Sequence, residues 1–139
     1  MKVLLDTNVL SEVRRPAPEP KVLAWLDAID EDRAFISVAS IAELKRGIAL
    51  MDAGRRREAL AAWLAEDLPA RFAGRIVPID PAIAERWGDL MAQARQSGIG
   101  LSVMDGFFAA TALAKEFVLA TRNTKDFAPL GMPMFNPWD

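Results

Sequence analysis

The chain of 139 residues contains no cysteine and no histidine. The first absence excludes disulfides, thiolate chemistry and cysteine-ligated zinc. The second removes the commonest general base, the usual zinc ligand and every Ser-His-Asp or Cys-His device. Catalysis, if there is any, must use carboxylates, hydroxyls, amides, lysine or arginine. Hard oxygen donors of that kind select magnesium or manganese over softer metals. No apolar run is long enough to span a bilayer and no N-terminal stretch resembles a signal peptide, so a cytoplasmic protein without a membrane partner is expected. A basic excess is also missing: 17 Lys and Arg stand against 19 Asp and Glu, for a net charge of −2. That balance counts against avid non-specific nucleic-acid binding but leaves room for a local basic patch beside an acidic site.

What is present describes a globular protein, 52 % hydrophobic and 26 % charged. The length suits one domain, residues 1–139, with a genuine core. There is no internal repeat and no linker long enough to divide it. Val3-Leu4-Leu5 is a short apolar run of the kind buried in a parallel sheet, and Asp6-Thr7-Asn8 follows it directly. After the proline-rich PAPEP at 16–20, Val22, Trp25, Leu26 and Ile29 recur at helical spacing. Residues 34–37 read as a strand, and Ser40-Ile41-Ala42-Glu43 has the spacing of a capping box that opens a helix running to about Met51. Gly54 breaks that helix, and another is expected from about Arg55 to Phe72. Residues 75–79 read as a strand. Asp80-Pro81 is a helix start, and the helix should end at Ser97-Gly98. Ser102-Val103-Met104-Asp105 is a second capping-box spacing, opening the apolar helix GFFAATALA. A strand at 117–120, the loop TRNTKDF and a last short strand at Met134-Phe135 complete the chain. Strands alternating with helices imply an α/β fold with a mainly parallel central sheet.

In such sheets ligands bind beyond the carboxyl ends of the strands, where the N-termini of the following helices also lie. Asp6 ends the first strand, Glu43 and Asp105 fall in first helical turns, and Asn123 and Asp126 follow the strand at 117–120. All should converge on one rim. Each has a structural use as well: Asp6, Thr7 and Asn8 are good N-caps, and Glu43 and Asp105 occupy the acceptor positions of capping boxes. Capping does not require clustering, however. Carboxylates gathered on one edge repel one another unless a cation compensates, and Asp105 heads a helix apolar enough to be central. A divalent metal is the simplest compensation.

These blocks, LLDTNVLSE, SVASIAELKRGIALM, SVMDGFFAATAL, LATRNTKDF and the closing FNPW, together resemble the PIN-domain nucleases. More narrowly they resemble the VapC-type toxins of bacterial toxin–antitoxin pairs, including the FitB-like subgroup, over nearly the whole chain and in the expected order. The resemblance implies a three-layer α/β/α domain and a magnesium-dependent endoribonuclease, with manganese as a possible substitute, that cuts RNA by metal-activated water. The family's acids match Asp6, Glu43 and Asp105 as metal ligands, and its hydroxyl partner matches Thr7. Its fourth acid often falls where this chain has Asn123, with Asp126 nearby as a replacement. Of the basic residues, Arg46, three positions after Glu43, and Arg122, beside the loop, are the best candidates to meet RNA phosphate. Arg55-Arg56-Arg57 reads as a solvated helix face.

The resemblance further implies a homodimer, and an antitoxin that occludes the acidic site with a basic side chain. Operator DNA is contacted only through that antitoxin. Trp25 with Leu26, or Trp63 with Leu60 and Leu64, offer apolar stripes to a partner helix, or simply to the core. Two other functions compete. A strand followed by Asp6 also fits an aspartyl-phosphate phosphatase, though Asn8 stands where that chemistry wants a second acid. A catalytically silent PIN-like module, acting by binding its antitoxin in a DNA-bound regulatory complex, would tolerate Asn123.

Overall fold

Strand β1 (Val3–Leu5) is buried on both faces and lies in the middle of the sheet. Val3 and Leu5 point into one apolar layer and Leu4 into the other, as the alternation of a strand requires. Burying a side chain such as Leu4, with no exposed surface, contributes roughly 1.5–3 kcal/mol. The computed structural model describes all residues, 1–139. After β1 come α1 (Thr7–Glu12), α2 (Pro20–Ala28), β2 (Ala34–Ser37), α3 (Val38–Ala49), α4 (Arg55–Ala62), α5 (Leu68–Arg71) and β3 (Ile76–Val77). The second half contains α6 (Pro81–Gln96), α7 (Val103–Lys115), β4 (Val118–Ala120), α8 (Thr124–Phe127) and β5 (Met134–Phe135).

The five strands pair in parallel in the order β3-β2-β1-β4-β5, with Val3 opposite both Ala34 and Val118. Helices α1 to α5 cover one face, where Val9, Val22, Leu44, Ile48, Trp63 and Leu64 meet Val3, Leu5 and Ile36. Helices α6 and α7 cover the other, where Ile83, Leu90, Phe108 and Ala112 meet Leu4 and Leu119. The chain therefore has the expected three-layer α/β/α architecture. It winds outward from β1 in one direction and then crosses over to β4, so β1 and β4 flank a topological switch point. A crevice opens there, beyond the carboxyl ends of the strands.

Caps mark most of the boundaries. Asp80 accepts from the backbone N–H of Ile83 and is followed by Pro81, which already has a helical φ and lacks the N–H that would go unpaired. Ser102 accepts from the N–H of Asp105 at 3.1 Å and caps α7. The expected box at Ser40–Glu43 is not formed. Ser37 ends β2, accepts from the N–H of Ala39 and starts α3 without an intervening loop, which places Glu43 beyond the first turn. The strand expected at 75–79 is paired only at Ile76–Val77, because Pro78 has no N–H for a ladder. The helix expected from Arg55 to Phe72 holds a π turn at Trp63–Asp67, just before Pro69 deprives the α-helical ladder of a donor. Part of the expected loop TRNTKDF is the short helix α8.

Candidate active site

Asp6 leaves β1 at the switch point, 4 % exposed, and its backbone N–H donates to the carbonyl of Ala120 at the end of β4. Its Oδ1 caps α1 by accepting from the N–H of Thr7 at 2.6 Å. Its Oδ2 accepts from the Thr121 hydroxyl at 2.8 Å and, at 3.4 Å, from the Asn8 amide. A carboxylate has about four lone-pair sites, so these contacts orient Asp6 and leave acceptor capacity toward the cleft. The Thr7 hydroxyl donates to Glu43 Oε1 at 2.7 Å and has the Ser40 hydroxyl at 2.9 Å. With the Thr7 proton committed to Glu43, Ser40 is the donor in that second contact. A relay of two hydroxyls thus aims Glu43, which reaches across from α3.

Asp6, Thr7, Asn8 and Glu43 line an open cleft of about 420 Å³ together with Asp105, Asn123, Ser11, Glu12, Arg15, Arg122 and Trp138. Burial pushes the Asp6 carboxyl up to about 6; the charges of Asp105 and Glu43 add to the rise, against the pull of the hydrogen bonds from Thr121 and Thr7. Asp105 is also raised, first by burial and then by Asp126 and Glu43, with Ser102 opposing. The acids therefore sense one another across the cleft, although they come from three separate elements. None has a cation of its own: the ion pairs of the chain are Arg15–Glu12, Arg71–Glu31, Arg75–Glu31 and Lys115–Asp80. Oxygen donors that repel one another and lack a counterion fit a hard divalent cation. No three acidic side chains close on a common point as a complete cage. A divalent cation that keeps several of its waters and takes one or two carboxylates suits that arrangement.

A family model, PIN domain, matches residues 3–130. The chain belongs to the PIN-domain family. This PIN domain is 41 % identical to VapC ribonuclease Y4jK of Sinorhizobium fredii over 99 % of its own length and 98 % of the relative's. It is 38 % identical to toxin FitB of Neisseria gonorrhoeae, over 98 % of each chain. Its fold superposes on that of FitAB bound to an IR36 DNA fragment with a TM-score of 0.91 at 36 % identity, over 99 % of this chain and 96 % of that one. The fold expected from the sequence is thus the fold of the family.

The sequence-derived site residues divide into two groups. Asp6, Thr7, Glu43, Asp105, Asn123 and Arg122 all reach the cleft. Asp126 does not line it; it lies in α8, exposed, and is felt as a charge by Asp105. Arg46 is exposed, lines no part of the cleft and makes no ion pair with Glu43, whose carboxylate is engaged by Thr7. The sequence reading missed Thr121, which is fully buried and binds Asp6, and Glu12, which is 4 % exposed. The Glu12 carboxylate accepts from the N–H of Glu19 at 2.9 Å and pairs with Arg15 at 3.3 Å, and these contacts hold it below the usual carboxylate range. A threonine directly after a central strand was the available signal for the first. A glutamate on the apolar side of a helix was the signal for the second.

Proposed function

We propose that this PIN domain is the toxin of a type II toxin–antitoxin pair, an endoribonuclease that hydrolyses RNA phosphodiester bonds with magnesium, or manganese in its place. The observation that carries this reading is that Asp6, Glu43 and Asp105 line one cleft at the switch point without a neutralising cation. Asp6 and Asp105 are the ligands, with Glu43 as the third donor. Thr121 and the N–H of Thr7 fix the orientation of Asp6, and the Ser40–Thr7 relay does the same for Glu43. The bound cation supplies the Lewis acidity that activates water and offsets charge on the phosphate. Asn123 faces the cleft with an amide in place of a fourth carboxylate, which leaves the ligand set one charge lighter. With no histidine in the chain, proton transfer falls to carboxylates and solvent.

The partners follow from the relatives. A ribonuclease and a toxin are named among them, and FitAB has been solved on DNA. We assign to this chain an RNA substrate, an antitoxin whose basic side chain competes with the cation for the acids, homodimerisation, and contact with operator DNA through the antitoxin alone. The test is cleavage of labelled total RNA by the partner-free protein with magnesium, manganese or chelator, beside an identically prepared Asp6→Asn control. Metal-dependent products absent from the control support the nuclease. A folded protein that binds no metal and cuts nothing would favour the silent regulatory module, to which Asn123 lends its one argument.

A further inference from the structure

Ten of the eleven residues lining the acidic cleft are polar or charged, and the exception is Trp138. Its place is set by the ends of two neighbouring strands. The N–H of Thr121, just past β4, donates to the carbonyl of Phe135 in β5 at 3.0 Å, so Arg122 and the 136–138 turn leave the sheet side by side. The Asn136 side chain then accepts from the N–H of Trp138 at 2.9 Å, and Pro137 is buried, which closes the turn and fixes the indole. Trp138 is half-buried and packs against the apolar core on the α1–α5 side of the sheet. Over its face lies the Arg122 guanidinium, with its carbon 5.2 Å from the ring centroid. Arg122 is exposed, and its side chain makes no hydrogen bond and no ion pair. A cation on an indole is held by the ring quadrupole while its edge donors stay free.

We infer that Trp138 is a positioning residue that seats Arg122 on the cleft wall with its free N–H edge directed at a backbone phosphate of the bound RNA. The inference rests on the ribonuclease reading above. An arginine on a flexible stem loses rotamer entropy on meeting a phosphate, and a fixed aromatic seat reduces that loss before the substrate arrives. Arg122 then acts in binding rather than in the chemical step, since it is on the wall and forms no pair with the acids. Trp138 acts only through Arg122.

The test measures binding of a labelled single-stranded RNA oligonucleotide in chelator across a salt series, and KM and kcat for cleavage with magnesium. The variants are Arg122→Ala, Trp138→Leu, Trp138→Phe and the Arg122→Ala/Trp138→Leu double. Arg122→Ala and Trp138→Leu should each weaken binding and raise KM about tenfold with kcat held, as for one charge-assisted contact. Each should lower the salt slope by about 0.7, the signature of one lost phosphate contact on a single strand. The double should be no worse than Arg122→Ala, and Trp138→Phe should restore most of the loss. A Trp138→Leu protein that binds like wild type, or a double whose losses add, overturns the seat while leaving the nuclease intact. A loss in Trp138→Leu with an unchanged salt slope marks a structural role and overturns it as well. A wild type that neither binds nor cuts RNA removes both readings together.

Discussion

Thr121 donates its hydroxyl proton to Asp6 across 2.8 Å, although 115 residues separate them along the chain. The bond spans the switch point between β1 and β4, so the orientation of the central acid is decided by the register of the sheet. Asp6 is both a cap for α1 and an acid whose carboxyl is raised by burial, and its two duties pull stability in opposite directions.

Asp6 gives the pH prediction. Its carboxyl is raised from 3.8 to about 6, so the folded state holds a proton more tightly than the unfolded chain. Stability from this group is fully present below about pH 4 and is lost as pH rises through about 6, amounting to about 3 kcal/mol at neutral pH without metal. Metal-free Asp6→Asn should therefore melt higher than wild type at pH 7.5, with about two-thirds of the gap closed by pH 4.5. Thermal melts at the two pH values check this. A variant that melts lower at both would mean that the cap and the Thr121 bond outweigh the buried charge.

Metal should reverse the order. A divalent cation that binds only the folded site would stabilise it by mass action, by about 2.7 kcal/mol at a hundred times its dissociation constant. Wild type should gain melting temperature with magnesium or manganese and lose the gain in chelator, while Asp6→Asn and Asp105→Asn should gain little. Differential scanning calorimetry with and without each ion reads the effect.

The hydroxyl relay predicts a loss of activity without loss of fold. Thr7→Val keeps the shape of the side chain, removes the donor to Glu43 and strands the Ser40 hydroxyl. Losing one hydrogen bond to a charged group costs about 1.5–3 kcal/mol, so a tenfold or larger fall in kcat is expected, with the circular dichroism spectrum unchanged. An unaltered kcat would show that Glu43 keeps its aim without Thr7.

Glu12 predicts the opposite separation, a loss of fold. Glu12→Ala leaves the Glu19 N–H without its acceptor and Arg15 without its partner, for a loss of about 1–3 kcal/mol. Urea unfolding should show a lower midpoint at pH 7, measured without metal.

Gly106, in the first turns of α7, permits the helix to pack. A Cβ there would lie 2.5 Å from Met91 Sδ and 2.8 Å from Trp87 Nε1. Met91 can swing away, but Trp87 is tied to the carbonyl of Val103 and stacked on Phe107. Gly106→Ala should destabilise the protein by about 1–3 kcal/mol, read in the same urea titration.

How far the sequence revealed this arrangement depends on which interactions are local. β1, β2, α6 and α7 follow from apolar run lengths and caps, and so do the positions of Asp6 and Asp105. The start of α3 was misplaced because Ser37 and Ser40 both satisfy a cap pattern. The choice falls to Ser37 because it pairs with Val77 across the sheet, which no local pattern contains. That Arg46 lies outside the cleft has a similar reason, since sequence gives its spacing from Glu43 but not where Thr7 holds the carboxylate. Thr121 and Trp138 acquire their roles only when β4 and β5 lie beside β1. Local pattern flags the threonine after a central strand and the closing FNPW, but not what either side chain meets.

The switch point also orders events during synthesis. The Asp6 carboxylate and its hydroxyl partner come from opposite ends of the chain, and β1 cannot pair with Val118–Ala120 until those residues have left the ribosome. Closing so long a loop is slow compared with forming the helices between. The helical segments between β1 and β4 are thus made well before the chain owns a finished cleft. Strand order alone delays completion of the cleft until the chain is almost fully made.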